Sequence, residues 1–160
     1  PEGSVFAFFC DPPTVEAASR GGEGAELTLS LGARVDARFG APVPCRARVL
    51  TLTEGRFCNA GPMERGLAVD LGRTALLAVG PLRVIVTTGC QSPNDVAYFR
   101  LHGLDIDRVP LLLAKAKNHF QAAFADRFDV ILPCDTPGPA MANAARLPFR
   151  RVPRERLSLD

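Results

Sequence analysis

The sequence predicts an α/β or α+β fold, a single domain in which a mixed β-sheet has a strand-rich middle section and flanking helices. Three observations support this prediction. A continuous apolar run leads directly into a helix-capping sequence, a long middle section places hydrophobic residues at every second position, and the remainder returns to alternating strand and helix patterns. The 160 residues are enough for one hydrophobic core.

The chain opens with a predicted strand and helix. Residues 4–10 form a continuous apolar run, which is typical of a buried strand. Asp11 can then cap a helix, and Pro12 fits its first position because no intrahelical partner exists there for an N–H. Gly21 and Gly22 can end that helix.

Residues 25–92 are predicted to be rich in strands. Hydrophobic and polar residues alternate around Leu29 and around Ala47, which is the period of a strand with one buried face. Residues 54–66 contain three glycines and a proline, and they are predicted to form a loop.

A hairpin is predicted near the end of this section. Two apolar runs, residues 74–79 and 82–88, are separated by Gly80-Pro81. Glycine and proline between two strand-like runs indicate a tight turn.

Helices and strands are predicted to alternate after Cys90. Ser92 and Pro93 have the pattern of a helix start, and the helix is expected to run to about residue 101 and stop at Gly103.

A strand over residues 109–114, a helix over 118–127 and a strand over 130–132 are predicted to follow. Such a βαβ unit implies parallel strands joined by a right-handed crossover.

Charge and hydropathy argue against two classes of partner. The 19 basic residues nearly balance the 17 acidic ones. A local excess of arginine occurs near the end of the chain, without the interleaved aromatic residues that stack on bases, so no nucleic-acid partner is predicted. No apolar run reaches the length of a membrane helix, so no membrane partner is predicted either. The arginines concerned are Arg146, Arg150, Arg151, Arg154 and Arg156.

The five cysteines have irregular spacings, contain no CxxC pair and are odd in number. This pattern argues against a disulfide framework and predicts a reducing, cytoplasmic location. The chain begins at Pro1 and enters an apolar run almost at once, as expected for a segment of a longer protein.

The two histidines, His102 and His119, have no neighbouring ligands at zinc-site spacing, so no metal site is predicted from them. His102 stands at a predicted helix end and is expected to act as a structural cap.

His119 and Lys115 are the candidate site residues. They lie at a junction from a buried strand into a helix, and functional groups in α/β sheets collect at the carboxyl ends of strands. Lys115 could face an anionic group there. Alternatively, His119 bonds a backbone carbonyl and Asn118 caps the helix.

Another hypothesis is that the protein is a cysteine-dependent enzyme. Cys90 and Cys134 each stand where an apolar run gives way to a turn, and a thiol near a helix N-terminus can become nucleophilic. No acidic residue is placed by the sequence to orient His119, which weighs against this hypothesis.

Six segments, taken in order, resemble the C-terminal domain of microcystinase C-like (MlrC) metallopeptidases. The most distinctive spans residues 115–124 and includes His119-Phe120-Gln121-Ala122-Ala123-Phe124. The others are Asp11-Pro12 with Val15 and Ala17-Ala18; Gly22-Glu23-Gly24-Ala25 with Leu29-Ser30-Leu31-Gly32; Gly72-Arg73-Thr74-Ala75; Phe99 with Gly103 and Asp105; and Asp135-Thr136-Pro137-Gly138.

The resemblance implies a parent protein whose N-terminal domain binds zinc and hydrolyses a peptide or amide substrate, as in the degradation of linearised microcystin. This chain would support or cover that active site, with Lys115 and His119 facing the cleft and with no metal, cofactor or catalytic residue of its own. Its main partner would be the N-terminal catalytic domain. The alternative is a stand-alone ligand-binding or assembly module without catalysis.

Overall fold

The computed structural model describes residues 1–34, 36–116, 118–134, 136 and 150. The described part is α+β, with a six-stranded mixed sheet and a separate two-stranded one. The strands are β1 (Ser4–Cys10), β2 (Glu26–Leu31), β3 (Val43–Thr53), β4 (Arg56–Cys58), β5 (Ala68–Asp70), β6 (Thr74–Val79), β7 (Leu82–Thr87) and β8 (Leu112–Ala114). The helices are α1 (Pro12–Gly21), α2 (Ala97–Arg100) and α3 (Gln121–Phe124), with 3-10 turns at Ala37–Phe39, Ile106–Arg108, Asn118–Phe120 and Ala125–Arg127.

The large sheet has the order β2-β3-β6-β7-β1-β8. Strand β1 runs parallel to both of its neighbours, β7 and β8, whereas the pairs from β2 to β7 are antiparallel. The prediction of a mixed sheet is therefore confirmed. The predicted hairpin is also confirmed, since β6 and β7 pair from Thr74 opposite Thr87 to Val79 opposite Leu82.

Helix α1 begins and ends where the sequence predicts. The Asp11 carboxylate accepts a hydrogen bond from the backbone of Thr14, and proline occupies the first turn. The backbone N–H of Gly22 closes the other end by donating to the Ala18 carbonyl. Val15 and Ala18 are buried, so this helix covers one face of the sheet.

The core has two clusters, because alternate residues of each central strand point to opposite faces of the sheet. In β7, for example, Ile85 belongs to one cluster while Val84 and Val86 belong to the other. Cluster A includes Val5, Ala7, Leu76, Ile85, Tyr98, Phe99, Ile106 and Phe124. Cluster B, on the α1 side, includes Val15, Ala18, Ala47, Val49, Leu77, Val84 and Val86.

Three predicted elements are corrected by the structure. Residues 54–66 are not only a loop, because β4 lies within them and pairs with β5. The helix predicted from Ser92 begins at Ala97, because residues 92–94 form a turn in which Asn94 donates its N–H to the Ser92 carbonyl. Residues 130–132 form no strand, since no other described strand pairs with them.

The prediction of a βαβ unit is consequently wrong, because its two predicted strands do not pair with each other as expected. The strand predicted at 109–114 is shorter, at Leu112–Ala114, and its parallel partner is β1 rather than residues 130–132. The helix predicted over 118–127 is present as a 3-10 turn, α3 and a second 3-10 turn in succession.

None of the described helices is both long enough and apolar enough to span a membrane. The basic tail and the turn predicted at residues 135–138 lie outside the described residues, apart from Thr136 and Arg150.

Candidate functional site

The carboxyl ends of three parallel strands lie side by side in the large sheet, and Lys115 directly follows one of these strands. Their last residues are Thr87, Cys10 and Ala114. The backbone N–H of Lys115 donates to the Ala7 carbonyl at 3.0 Å, which fixes the main chain, while its side chain is exposed. Lys115 therefore follows a strand, as predicted, but that strand is a partly exposed edge strand and not the buried strand that the sequence suggests.

His119 lies in the 3-10 turn that leads into α3, and its imidazole is exposed. Neither His119 nor Lys115 has a side-chain hydrogen bond or ion pair with any described residue. The alternative in which His119 bonds a backbone carbonyl thus finds no support in this part of the chain. The proposed Asn118 cap lies outside the described side chains. Neither side chain is engaged by a residue that the structure describes, and their place in a cleft remains a prediction.

Asp11 directly follows β1 at the carboxyl ends of the parallel strands, and its side chain is fully buried. Its Oδ1 accepts hydrogen bonds from the backbone N–H of Thr14 at 3.3 Å and from Nε of Arg34 at 3.0 Å. Its Oδ2 accepts one from the backbone N–H of Gly32 at 3.0 Å. These bonds tie the start of α1 to the turn after β2, so the carboxylate has a structural role.

The thiol of Cys10 lies beside that of Cys90 and donates to the Thr88 carbonyl at 3.4 Å. Burial raises the pKa of Cys10 to about 11, with further contributions from a hydrogen bond to Cys90 and from the negative charges of Cys90 and Asp11. A thiol with so high a pKa is protonated at neutral pH and is a poor nucleophile. The cysteine-enzyme hypothesis therefore rests on Cys90 and Cys134, which are exposed and free of disulfides.

An open groove of about 510 Å³ separates the 59–66 loop from the helical segment 118–127. Arg65 and Arg100 line it, as does Arg127, which is held by Asp107 and by a backbone carbonyl. The volume is within the range of ligand pockets. His119 lies about one helical turn before Ala122, which is the first residue of the 118–127 segment that lines the groove. The sequence did not reveal this groove, because its walls are far apart along the chain.

Asp95 is buried, and its carboxylate holds the loop that forms one wall of the groove. Its Oδ1 accepts hydrogen bonds from the backbone N–H groups of Ala60 at 3.2 Å and Ala97 at 2.8 Å, and its Oδ2 accepts one from Gly61 at 2.6 Å. A Cβ on Gly61 would lie 2.8 Å from Oδ2, so glycine permits this close approach. Asp95, rather than Ser92, therefore bonds the start of α2. Its signal in the sequence is an aspartate two residues before the helix.

His102 is buried and has two partners. Its Nδ1 lies 2.9 Å from the Tyr98 carbonyl, which only accepts, so Nδ1 carries the hydrogen and satisfies a carbonyl at the end of α2. Its Nε2 lies 2.8 Å from Oγ1 of Thr74. Burial lowers the pKa of His102, which opposes the charge expected for a helix cap. The imidazole thus caps the helix as a neutral group.

No three His, Cys, Asp or Glu side chains meet in a way that could hold a metal ion within the described ranges. Asp11 and Asp95 bind backbone amides instead.

One solved structure is similar to this chain over nearly its whole length. A solved structure titled "Putative metallopeptidase" from Mesorhizobium sp. BNC1 is 30% identical, with a TM-score of 0.82. The match covers 95% of this chain but 31% of that chain, so the present chain spans about a third of its relative. No curated protein matches.

The family model described as the MlrC C-terminus matches residues 1–151. This match spans nearly the whole sequence and includes the strand-to-helix junction that carries Lys115 and His119. The chain therefore belongs to the MlrC C-terminus family.

Proposed function

We propose that this chain is the accessory C-terminal domain of a zinc-dependent peptidase or amidohydrolase, where it supports or covers an active site in the N-terminal part of the protein. The observation that carries the proposal is the unequal coverage of the match. Nearly all of this chain aligns with less than a third of a chain titled as a metallopeptidase.

The metal and the catalytic groups are assigned to the part of the protein outside this chain. The described residues do not fit a zinc centre, because no three potential ligands converge among them. The buried carboxylates of Asp11 and Asp95 are already occupied by backbone N–H groups, and His102 by Tyr98 and Thr74.

Lys115 and His119 are the residues that we place at the interdomain cleft. Both are exposed and without side-chain partners in the described structure, and both follow β8 where the parallel strands end. An ammonium and an imidazole at this position can bind a carboxylate or carbonyl oxygen of a peptide. Their expected role is to position the substrate.

The proposed substrate class is a peptide or a related amide, with linearised microcystin as the first compound to test. The proposed location is the cytoplasm. The absence of disulfides at all five cysteines is compatible with a reducing compartment.

The proposal is tested by comparing the full-length protein with the 160-residue chain. Zinc content is measured by mass spectrometry, and amide hydrolysis is measured with linearised microcystin and a panel of short peptides. We expect zinc and hydrolysis in the full-length protein and neither in the 160-residue chain. Tight stoichiometric zinc binding by the shorter chain, or a full-length protein without hydrolase activity, would overturn the proposal.

A further inference from the structure

Strand β8 forms an edge of the large sheet, and its outer side has no strand partner among the described residues. The Leu111 carbonyl and the Lys115 N–H bond to β1. Because backbone groups alternate in direction along a strand, Leu112 and Ala114 direct theirs to the outer side. Unpaired groups of this kind are a template for another polypeptide segment.

The side chains at this edge are unusually apolar. Leu112 packs against cluster A, so Leu111 and Leu113 point to the opposite face, where they are 44% and 37% exposed. Phe128 also packs against cluster A, and the residues after it, 130–132, are again exposed and apolar, up to 77% at Leu132. A partner that covers the edge would bury Leu111 and Leu113.

The opposite edge of the same sheet provides the contrast. Strand β2 exposes Glu26, Thr28 and Ser30, which are polar and therefore suited to solvent. Edges that remain in solvent are commonly protected by polar or charged side chains, and β8 lacks this protection between Leu111 and Ala114. The asymmetry indicates that β8, and not β2, is covered in the working protein.

We infer that the β8 edge is the surface on which the N-terminal metallopeptidase part of the longer protein docks. This inference rests on the proposed function. The occupant follows from the length of the related chain, more than two thirds of which lies outside the matched region. Docking along β8 would bring that part beside Lys115 and His119, which immediately follow the strand.

Hydrogen exchange tests the inference. Peptides covering residues 111–115 are compared between the full-length protein and the 160-residue chain, with peptides from β2 as the internal control. We expect exchange at β8 to be at least about tenfold slower in the full-length protein, and exchange at β2 to be unchanged. Equal exchange at β8 in both proteins would overturn the inference. So would protection in the shorter chain that rises with its concentration, because a second copy would then be the occupant.

A matched pair of variants identifies the side chains responsible. Leu113→Lys should abolish the extra protection at β8 in the full-length protein, whereas Val43→Lys, at an exposed site near β2, should leave it unchanged. Circular dichroism of both variants verifies folding. Retained protection in Leu113→Lys would contradict the docking surface.

Zinc content and hydrolysis, measured on the same samples, separate the two proposals. Hydrolysis without protection at β8 would overturn the docking surface alone. Protection without zinc or hydrolysis would overturn the proposed function alone.

Discussion

Nε2 of His102 lies 2.8 Å from Oγ1 of Thr74, and this contact sets the donor and acceptor roles in a series of buried and partly buried hydrogen bonds. Since Nδ1 carries the hydrogen, Nε2 accepts from the Thr74 hydroxyl. Thr74 Oγ1 is in turn 2.7 Å from that of Thr53, which accepts from the backbone N–H of Gly55. Each donor in this series of hydrogen bonds has an acceptor when His102 is neutral. Protonation of the imidazole would reverse the bond to Thr74.

Stability is expected to fall as the pH is lowered through the range in which histidine titrates. Burial lowers the pKa of His102 in the folded state below its ordinary value of 6.5, so the unfolded state binds the proton first. The contribution of His102 is therefore complete above pH 6.5 and declines below it, toward the pKa of the folded state. Urea unfolding at about pH 7.5 and about pH 5.5 measures the difference.

Two histidine variants serve as the control for this measurement. His102→Asn should reduce the pH dependence of the unfolding free energy, whereas His119→Asn should retain it because His102 is unchanged in that variant. An unchanged pH dependence in His102→Asn would contradict the assignment.

Asp11→Ala is expected to destabilise the domain by about 1–3 kcal/mol, because it leaves the buried N–H of Gly32 and Nε of Arg34 without their acceptor. Asp11→Asn keeps one oxygen and should cost less. Glu16→Ala, which removes an exposed ion pair on the same helix, should change stability by less than about 0.5 kcal/mol. Urea unfolding measures all three. A similar loss for Asp11→Ala and Glu16→Ala would show that the buried carboxylate is not a structural centre.

Gly61→Ala is expected to cost about 1–3 kcal/mol, because the new Cβ would lie 2.8 Å from Oδ2 of Asp95 and displace the carboxylate. The matched comparison is the same substitution in an Asp95→Ala background, where the clash no longer exists. Thermal and urea unfolding of the four proteins in this cycle give the coupling energy. Additive effects would exclude the close contact.

Cys10 is expected to react slowly with iodoacetamide. Its pKa of about 11, compared with an ordinary value of 9.0, lowers the thiolate fraction by about 100-fold at pH 8. Peptide mass spectrometry over a time course measures the rate at each cysteine, with exposed Cys58 as the reference. Labelling of Cys10 as fast as Cys58 would contradict the raised pKa. Slow labelling of both Cys90 and Cys134 would dismiss the cysteine-enzyme hypothesis.

His119→Ala in the full-length protein is expected to lower kcat/KM for amide hydrolysis by about tenfold, the loss of one substrate contact, without changing the unfolding free energy. His119→Gln, which can still form hydrogen bonds, should lose less. Arg108→Ala, at a highly exposed position before β8, is the control and should have little effect. Unchanged turnover in His119→Ala would remove this residue from the cleft.

The sequence predicts those helices, strands and turns that are determined by residues close to one another along the chain. The apolar run before Asp11 and Pro12 predicts both β1 and α1, since the cap and the proline act within one turn. Gly80 and Pro81 likewise predict the β6–β7 hairpin, whose turn is defined by adjacent residues.

Other features depend on contacts between distant residues and could not be predicted in this way. Strands β4 and β5 have three residues each, too few to show a period, and they form because they pair with each other. Asp95 accepts a hydrogen bond from the first turn of α2, and it is held in place because the 59–66 loop supplies two further N–H groups to its carboxylate. Residues 130–132 have the composition of a strand, but composition does not provide a neighbouring strand.

The central position of β1 has a consequence for the order of folding. This strand is synthesised before the other strands of the sheet, yet its partners are β7 and β8, and Cys10 bonds to Thr88, 78 residues away. The middle of the sheet therefore cannot close until β7 has left the ribosome, and β1 gains its second neighbour only after β8 has followed, whereas the β6–β7 hairpin joins residues that are close in sequence. Until then, the apolar residues of β1 lack their neighbouring strands β7 and β8, and exposed apolar segments of this kind are prone to aggregate.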